Sequence, residues 1–142
     1  MMSRVWRITA MSVASLTAAA FANAETPAAD AQPPGQRLYG RHCLSCHQAD
    51  GGGVPNMQPP IAGGTWVQGD ARALALFVMS GGFDSASRKD SDVGNVMPPF
   101  RQLADADLAE ILTFIRQKFG NGAAPVTAAD VAEARRSLPA SP

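Results

Sequence analysis

A chain of 142 residues with 46% hydrophobic content has room for one domain plus tails. Its 12 basic side chains are matched by 12 acidic ones, which excludes the basic footprint of a nucleic-acid binder and the charge excess of an acidic disordered chain. The 13 glycines and 11 prolines point to a fold rich in loops.

Arg4 and Arg7 lead into residues 8–21, which are mostly apolar and uncharged, and Ala22-Asn23-Ala24 follows as a small-residue cleavage site. This is the pattern of a secretory signal peptide, residues 1–24, expected to be cut after Ala24. The apolar stretch is short of the roughly 20 residues that span a bilayer. There is no twin-arginine pair, and no Cys follows closely to carry a lipid. The mature chain is therefore expected to be periplasmic and not membrane-spanning, in a compartment that permits disulfides.

Residues 25–34 are Ala- and Pro-rich without apolar periodicity and read as a disordered lead-in. Residues 35–43 read as a short helix that carries Leu38 and Tyr39 into Cys43-Leu44-Ser45-Cys46-His47. Residues 48–69 are broken by Gly51, Gly52, Gly53, Pro55, Pro59, Pro60, Gly63 and Gly64, so neither strand nor helix is expected there. Ile61 and Trp66 are the expected inward anchors of this loop. Asp70 suits the N-cap of a helix through Ala73, Leu74, Phe77 and Val78, closed by Gly81-Gly82.

Residues 83–96 read as a second loop of mixed charge. Its Arg88 and Lys89 are taken as solvated charges, with a docking edge as the alternative. The clearest helix spans residues 105–119, with Leu108, Ile111, Leu112, Ile115 and Phe119 on one face. Acids open it, Arg116 and Lys118 close it, and Gly120-Asn121-Gly122 stops it. Residues 127–137 suit a last short helix. The expected fold class is all-α, with a domain over 35–122 and a C-terminal extension over 123–142. A compact part this small, with two long loops, calls for something to wrap around.

Both cysteines and both histidines of the chain lie between His42 and His47. Cys43-x-x-Cys46-His47 is the attachment signature of a c-type haem. Two thiols on one helical turn can each add to a haem vinyl group, and His47 then lies beneath the ring and offers an imidazole nitrogen to iron. A thioredoxin-like pair would need a strand-to-helix context that the sequence lacks. A zinc site recruiting His42 would need a second ligand pair, and none follows. His42 cannot reach the far face of a haem held by Cys43 and Cys46, so it reads as a propped or surface side chain.

No further His is available as a second axial ligand. Met79 continues the helix from Asp70 and reads as core. Chain reach does not exclude Met57. Met97 has the best setting: Pro98 biases it toward an extended backbone, Pro98 and Pro99 stiffen the loop, and Phe100 can bury it.

Together these residues resemble a class I cytochrome c. Residues 35–39 look like that family's N-terminal helix, Val96-Met97-Pro98 matches its Met-ligand loop, and residues 108–119 are similar to its C-terminal helix. Pro59-Pro60-Ile61-Ala62-Gly63 is similar to its proline segment, where a backbone carbonyl orients the axial His. The resemblance implies helices packed around one covalent haem c. It further implies His47 and Met97 on iron, Pro59 or Pro60 beside His47, and Ile61, Trp66 and Phe100 in the haem pocket.

The run from Met97 to Asn121 looks more narrowly like bacterial cytochromes c associated with periplasmic dehydrogenases. A single C-x-x-C-H implies one haem, not a multihaem subunit. The expected function is electron transfer, not catalysis, with redox proteins as partners: a dehydrogenase as donor and an oxidase or other respiratory acceptor. The alternatives are a haem enzyme or gas sensor with a labile sixth ligand, and a fixed electron-accepting subunit of a dehydrogenase.

Overall fold

The computed structural model describes residues 32–82 and 97–139. The export segment and the 83–96 loop, with Arg88 and Lys89, lie outside the described residues. Within them the chain forms α1 (Pro34–His42), α2 (Leu44–His47), α3 (Thr65–Gln68), α4 (Ala71–Met79), α5 (Asp105–Gln117) and α6 (Ala128–Arg136). No strand occurs among the described residues, where the only bridge is an isolated one between Val54 and Gln58. The all-α expectation holds.

Helix α1 starts with Pro34, whose fixed φ and missing N–H suit a first helical position. It crosses α5, and Gly35 is buried at the crossing. A Cβ on Gly35 would meet the Glu110 carbonyl and come within 2.9 Å of the Phe114 Cβ. Only a residue without a side chain lets the two backbones approach this closely. Gly35→Ala is expected to lower stability by about 1–3 kcal/mol, the usual cost of overpacking. A lower urea midpoint at unchanged slope would show it; an unchanged midpoint would mean that the crossing yields freely.

Cys43 breaks the helix, with φ −122° and ψ −33°, and α2 restarts at once. The loop that follows contains one element not expected from its Gly and Pro content. Between Gly64 and Gly69 the four residues Thr65–Gln68 make one helical turn, α3. Its inward anchor is Val67, at 4% exposure. Trp66, expected to be the anchor, is 45% exposed, and Ile61 is half-buried. One turn presents only one side inward, and Val67 occupies it.

Asp70 caps α4 as expected, accepting from the backbone N–H groups of Arg72 and Ala73 at 3.0 and 2.9 Å. Gly81 and Gly82 follow with φ of 79° and 66°. Helix α5 buries Leu108, Ile111, Leu112 and Ile115. Phe119 leaves the helix with φ 58°, yet its ring still turns inward against Tyr39 and Phe114, with centroids 5.5 and 5.7 Å away. Helix α6 opens on a capping box between Thr127 and Asp130. It packs on both α4 and α5. The core extends past residue 122 through Val126, Val131 and Ala134, all buried. Met79 lies in that core, as its place in α4 predicts.

Two buried polar side chains fasten the loops to α5. Arg116, 5% exposed, donates to three backbone carbonyls: Ala124 at 2.6 Å, Val67 at 2.8 Å and Gly69 at 2.8 Å. Asn121, also buried, donates to the Ile61 and Ile115 carbonyls at 3.2 and 2.8 Å and accepts from Gly63 N–H at 2.8 Å. Each meets a buried backbone group that would otherwise lack a partner.

Candidate functional site

The helices and the Gly/Pro loop enclose a cavity of about 600 Å³. That volume lies within the roughly 300–1,000 Å³ of small-molecule and cofactor sites. Cys43, Cys46 and His47 enter it from the α1–α2 junction, and Pro59, Pro60, Ile61 and Trp66 from the loop. Met97 and Phe100 border it from the segment ahead of α5. All the candidates named from the sequence thus face one space, while Met57, 45% exposed, does not.

The cysteines are not joined to each other. Burial pushes the Cys43 thiol up to about 12, and the neighbouring Cys46 adds to the shift. That shift keeps Cys43 a thiol rather than a thiolate.

His47 is half-buried, and burial lowers its pKa from 6.5. The Pro59 carbonyl faces the imidazole and acts in the opposite, raising direction. Buried Nδ1 of the ring has no hydrogen-bond partner. Between the two prolines that the sequence left open, Pro59 is the one beside His47. Tyr39 OH donates to the Gln48 carbonyl at 2.6 Å, pinning the residue after His47. Gln48 has φ 62° and ψ 170°, a conformation that favours glycine, so this bond holds a strained joint. Burial, with Cys43 and then Asp50 contributing, raises the Tyr39 pKa to about 12 and keeps the hydroxyl a donor.

Met97 is held from the side of α4. A Cβ on Gly81 would fall 2.8 Å from the Met97 carbonyl, so glycine permits this close approach. Phe100 N–H donates to the Val78 carbonyl at 3.3 Å. The Phe100 ring meets His42 edge-on at 6.3 Å, which accounts for His42 as a propped side chain. Trp66 stacks on Phe77 at 4.8 Å, the two planes 18° apart.

Leu74, Phe77 and Val78 of α4 and Ile111, Leu112 and Ile115 of α5 complete the walls. The sequence marked these as inward-facing but not as cavity-lining. Helical periodicity identifies the buried face without telling whether protein or a cofactor covers it.

An apolar cavity with two unpaired thiols and one imidazole at its edge suits a flat, apolar group tethered through sulfur, with a metal that accepts nitrogen. These residues fit haem c. Among the described residues no cluster of three or more His, Cys, Asp and Glu side chains could hold a bare metal ion.

The family model for cytochrome c matches residues 33–118. The chain is 35% identical over 107 residues to the cytochrome c subunit of an alcohol dehydrogenase (quinone) from Gluconacetobacter polyoxogenes, covering 74% of this chain and 23% of that subunit. It is 33% identical over 114 residues to the gluconate 2-dehydrogenase cytochrome c subunit of Pantoea cypripedii, covering 75% of this chain and 25% of that one. Against a cytochrome c-552 of Thermus thermophilus the identity is 32% over 114 residues, covering 74% and 76%. The chain spans about a quarter of the dehydrogenase subunits and three quarters of the cytochrome c-552. With its match over most of the described residues, and with Cys43, Cys46 and His47 fitting the haem-attachment motif at the rim of a haem-sized cavity, the chain belongs to the cytochrome c family, whose cofactor is haem c and whose work is electron transfer.

Proposed function

We propose that this protein is an exported, periplasmic carrier of single electrons, taking them from a dehydrogenase and passing them toward a respiratory acceptor. The observation that carries the reading is the meeting of Cys43, Cys46, His47 and Met97, from two separate segments, on one apolar cavity. The haem supplies an iron that alternates between Fe(II) and Fe(III).

Everything else is the work of the chain. Cys43 and Cys46 would hold the group through thioether links to its vinyl groups. His47 would hold the haem iron through an imidazole nitrogen, with the Pro59 carbonyl acting on the ring. A partly negative carbonyl beside the ring would make it a better donor to the metal. Met97 would supply a second ligand to the iron, and its soft sulfur would favour the reduced state. Pro60, Ile61, Trp66 and Phe100 exclude water from the walls. Low polarity and a stiff Met97-Pro98-Pro99 backbone keep the surroundings similar in both oxidation states, which suits rapid electron transfer.

Donor identity rests on the relatives, several of which are cytochrome c subunits of dehydrogenases. The same fact supports a second reading, a fixed electron-accepting subunit. Co-purification with a larger partner distinguishes the two. No helix among the described residues is long and apolar enough to cross a membrane.

The deciding test is the absorption spectrum of protein matured with a haem-attachment system. A low-spin c-type spectrum with the far-red sulfur-to-ferric-iron band, and no change of the reduced form under carbon monoxide, is the expected result. A high-spin spectrum that shifts with carbon monoxide would instead establish an open iron, and with it a haem enzyme or gas sensor.

A further inference from the structure

Helix α6 lies past the residues matched by the family, 33–118, yet it reaches back to the segment that carries Met97. Arg135 makes the connection. Its Nε donates to Asp105 Oδ1 at 2.7 Å, one terminal nitrogen donates to the Leu103 carbonyl at 2.7 Å, and the other to the Arg101 carbonyl. The three acceptors span 101–105, the turn after Phe100 and the first residue of α5. A planar fork of donors can hold three such acceptors at once, where a lysine cannot.

The arginine works from a fixed base. Val131 and Ala134 of α6 are buried against the core. Ahead of the helix, Thr113 Oγ1 accepts from Val126 N–H at 2.9 Å and donates to the Val126 carbonyl at 3.1 Å. Arg72 and Glu133 pair on the surface at 2.7 Å, a contact too exposed to add much.

Rigidity carries the effect from the turn to Met97. Only Pro98, Pro99 and Phe100 separate Met97 from Arg101. Both prolines have φ locked near −65°, and Phe100 is tied to Val78. Few soft dihedrals remain to absorb a shift of the turn, so freedom at 101–105 becomes freedom at Met97.

We propose that Arg135 is a positioning residue that keeps Met97 on the iron, making α6 a brace for the sixth ligand. This rests on the reading of Met97 as that ligand. The test is Arg135→Gln in the haem-loaded full chain. Two properties are read: the denaturant midpoint for loss of the far-red sulfur-to-iron band against that for loss of helix, and carbon monoxide binding to the reduced protein.

The expected result is band loss well before helix loss. The reduced variant should show a carbon monoxide shift that the wild type lacks. Gly35→Ala, destabilised at a distance from the turn, should keep the two midpoints together. Coincident midpoints and unchanged carbon monoxide binding in Arg135→Gln overturn the inference while leaving Met97 as ligand. Separated midpoints in Gly35→Ala also overturn it, because any destabilisation would then free Met97. Absence of the far-red band from the wild type overturns the ligand reading and the brace together. Should Arg135→Gln not accumulate with haem, Asp105→Asn removes one of the three acceptors' charge. It should show the same separation in smaller measure, and coincident midpoints there overturn the inference equally.

Discussion

Met97→Ala is expected to leave the haem covalently attached and the protein folded, while the reduced iron becomes able to bind carbon monoxide. Attachment depends on Cys43 and Cys46, on the other side of the sequence from the Met97 segment, so loss of the thioether sulfur of methionine does not touch it. The axial position would pass to water or stay open. Without the soft sulfur that favours Fe(II), the midpoint potential should fall on the order of 0.1–0.3 V, within the roughly 0.8 V range that axial ligands command. Redox titration and a carbon monoxide difference spectrum check both parts. A variant that keeps the far-red band would show that Met97 is not the residue supplying the sulfur.

Asn121→Ala should lower stability by about 3 kcal/mol. One amide satisfies three backbone groups: the Ile61 carbonyl, the Ile115 carbonyl and Gly63 N–H. Truncation leaves each of them in a poorly hydrated place, at about 1–3 kcal/mol apiece before water returns to some. The consequence reaches the iron, because Ile61 belongs to the loop that presents Pro59 to His47. Ile61 N–H and Ala62 N–H also close this loop by donating to the Gly51 carbonyl at 2.9 and 3.1 Å. Urea unfolding of the oxidised protein gives the stability change. A drop under about 1 kcal/mol, the net worth of a single ordinary hydrogen bond, would mean that the loop is held by the haem rather than by Asn121.

What could be read in the sequence shares one property: the signal is local. Cys43-x-x-Cys46-His47 is legible because covalent attachment to one flat ring dictates spacing within a single turn. Asp70 is legible because an N-cap bonds to residues two and three positions on. The inward faces of α4 and α5 are legible because burial repeats at the helical period. Met97 stands out by the prolines beside it.

The illegible features depend on partners far along the chain. Arg116 reads as a cation placed favourably at a helix end, yet it is buried on carbonyls 47 and 49 residues upstream. Asn121 reads as a helix stop and turns out to hold a loop 58 and 60 residues away. Trp66 is apolar enough to suggest an anchor, but the inward position of a one-turn helix depends on how the flanking loop arrives. Phe119 fits the periodic face of α5 although its backbone has already left the helix. Helix α6 was legible as a helix; its role in the core was not, since only Val131 and Ala134 in contact with α4 and α5 reveal it.

Arg116 also bears on how this module can be moved between proteins. Its guanidinium is clasped by Val67 and Gly69 on one side and by Ala124 on the other. A fusion joint placed at residue 118, where the family match ends, would cut away the third carbonyl and the helix behind it, and would open a buried cation to solvent. The transplantable unit of this cytochrome therefore includes α6, through Arg136, and shuffling that keeps this helix would carry the haem pocket over with its fastenings intact.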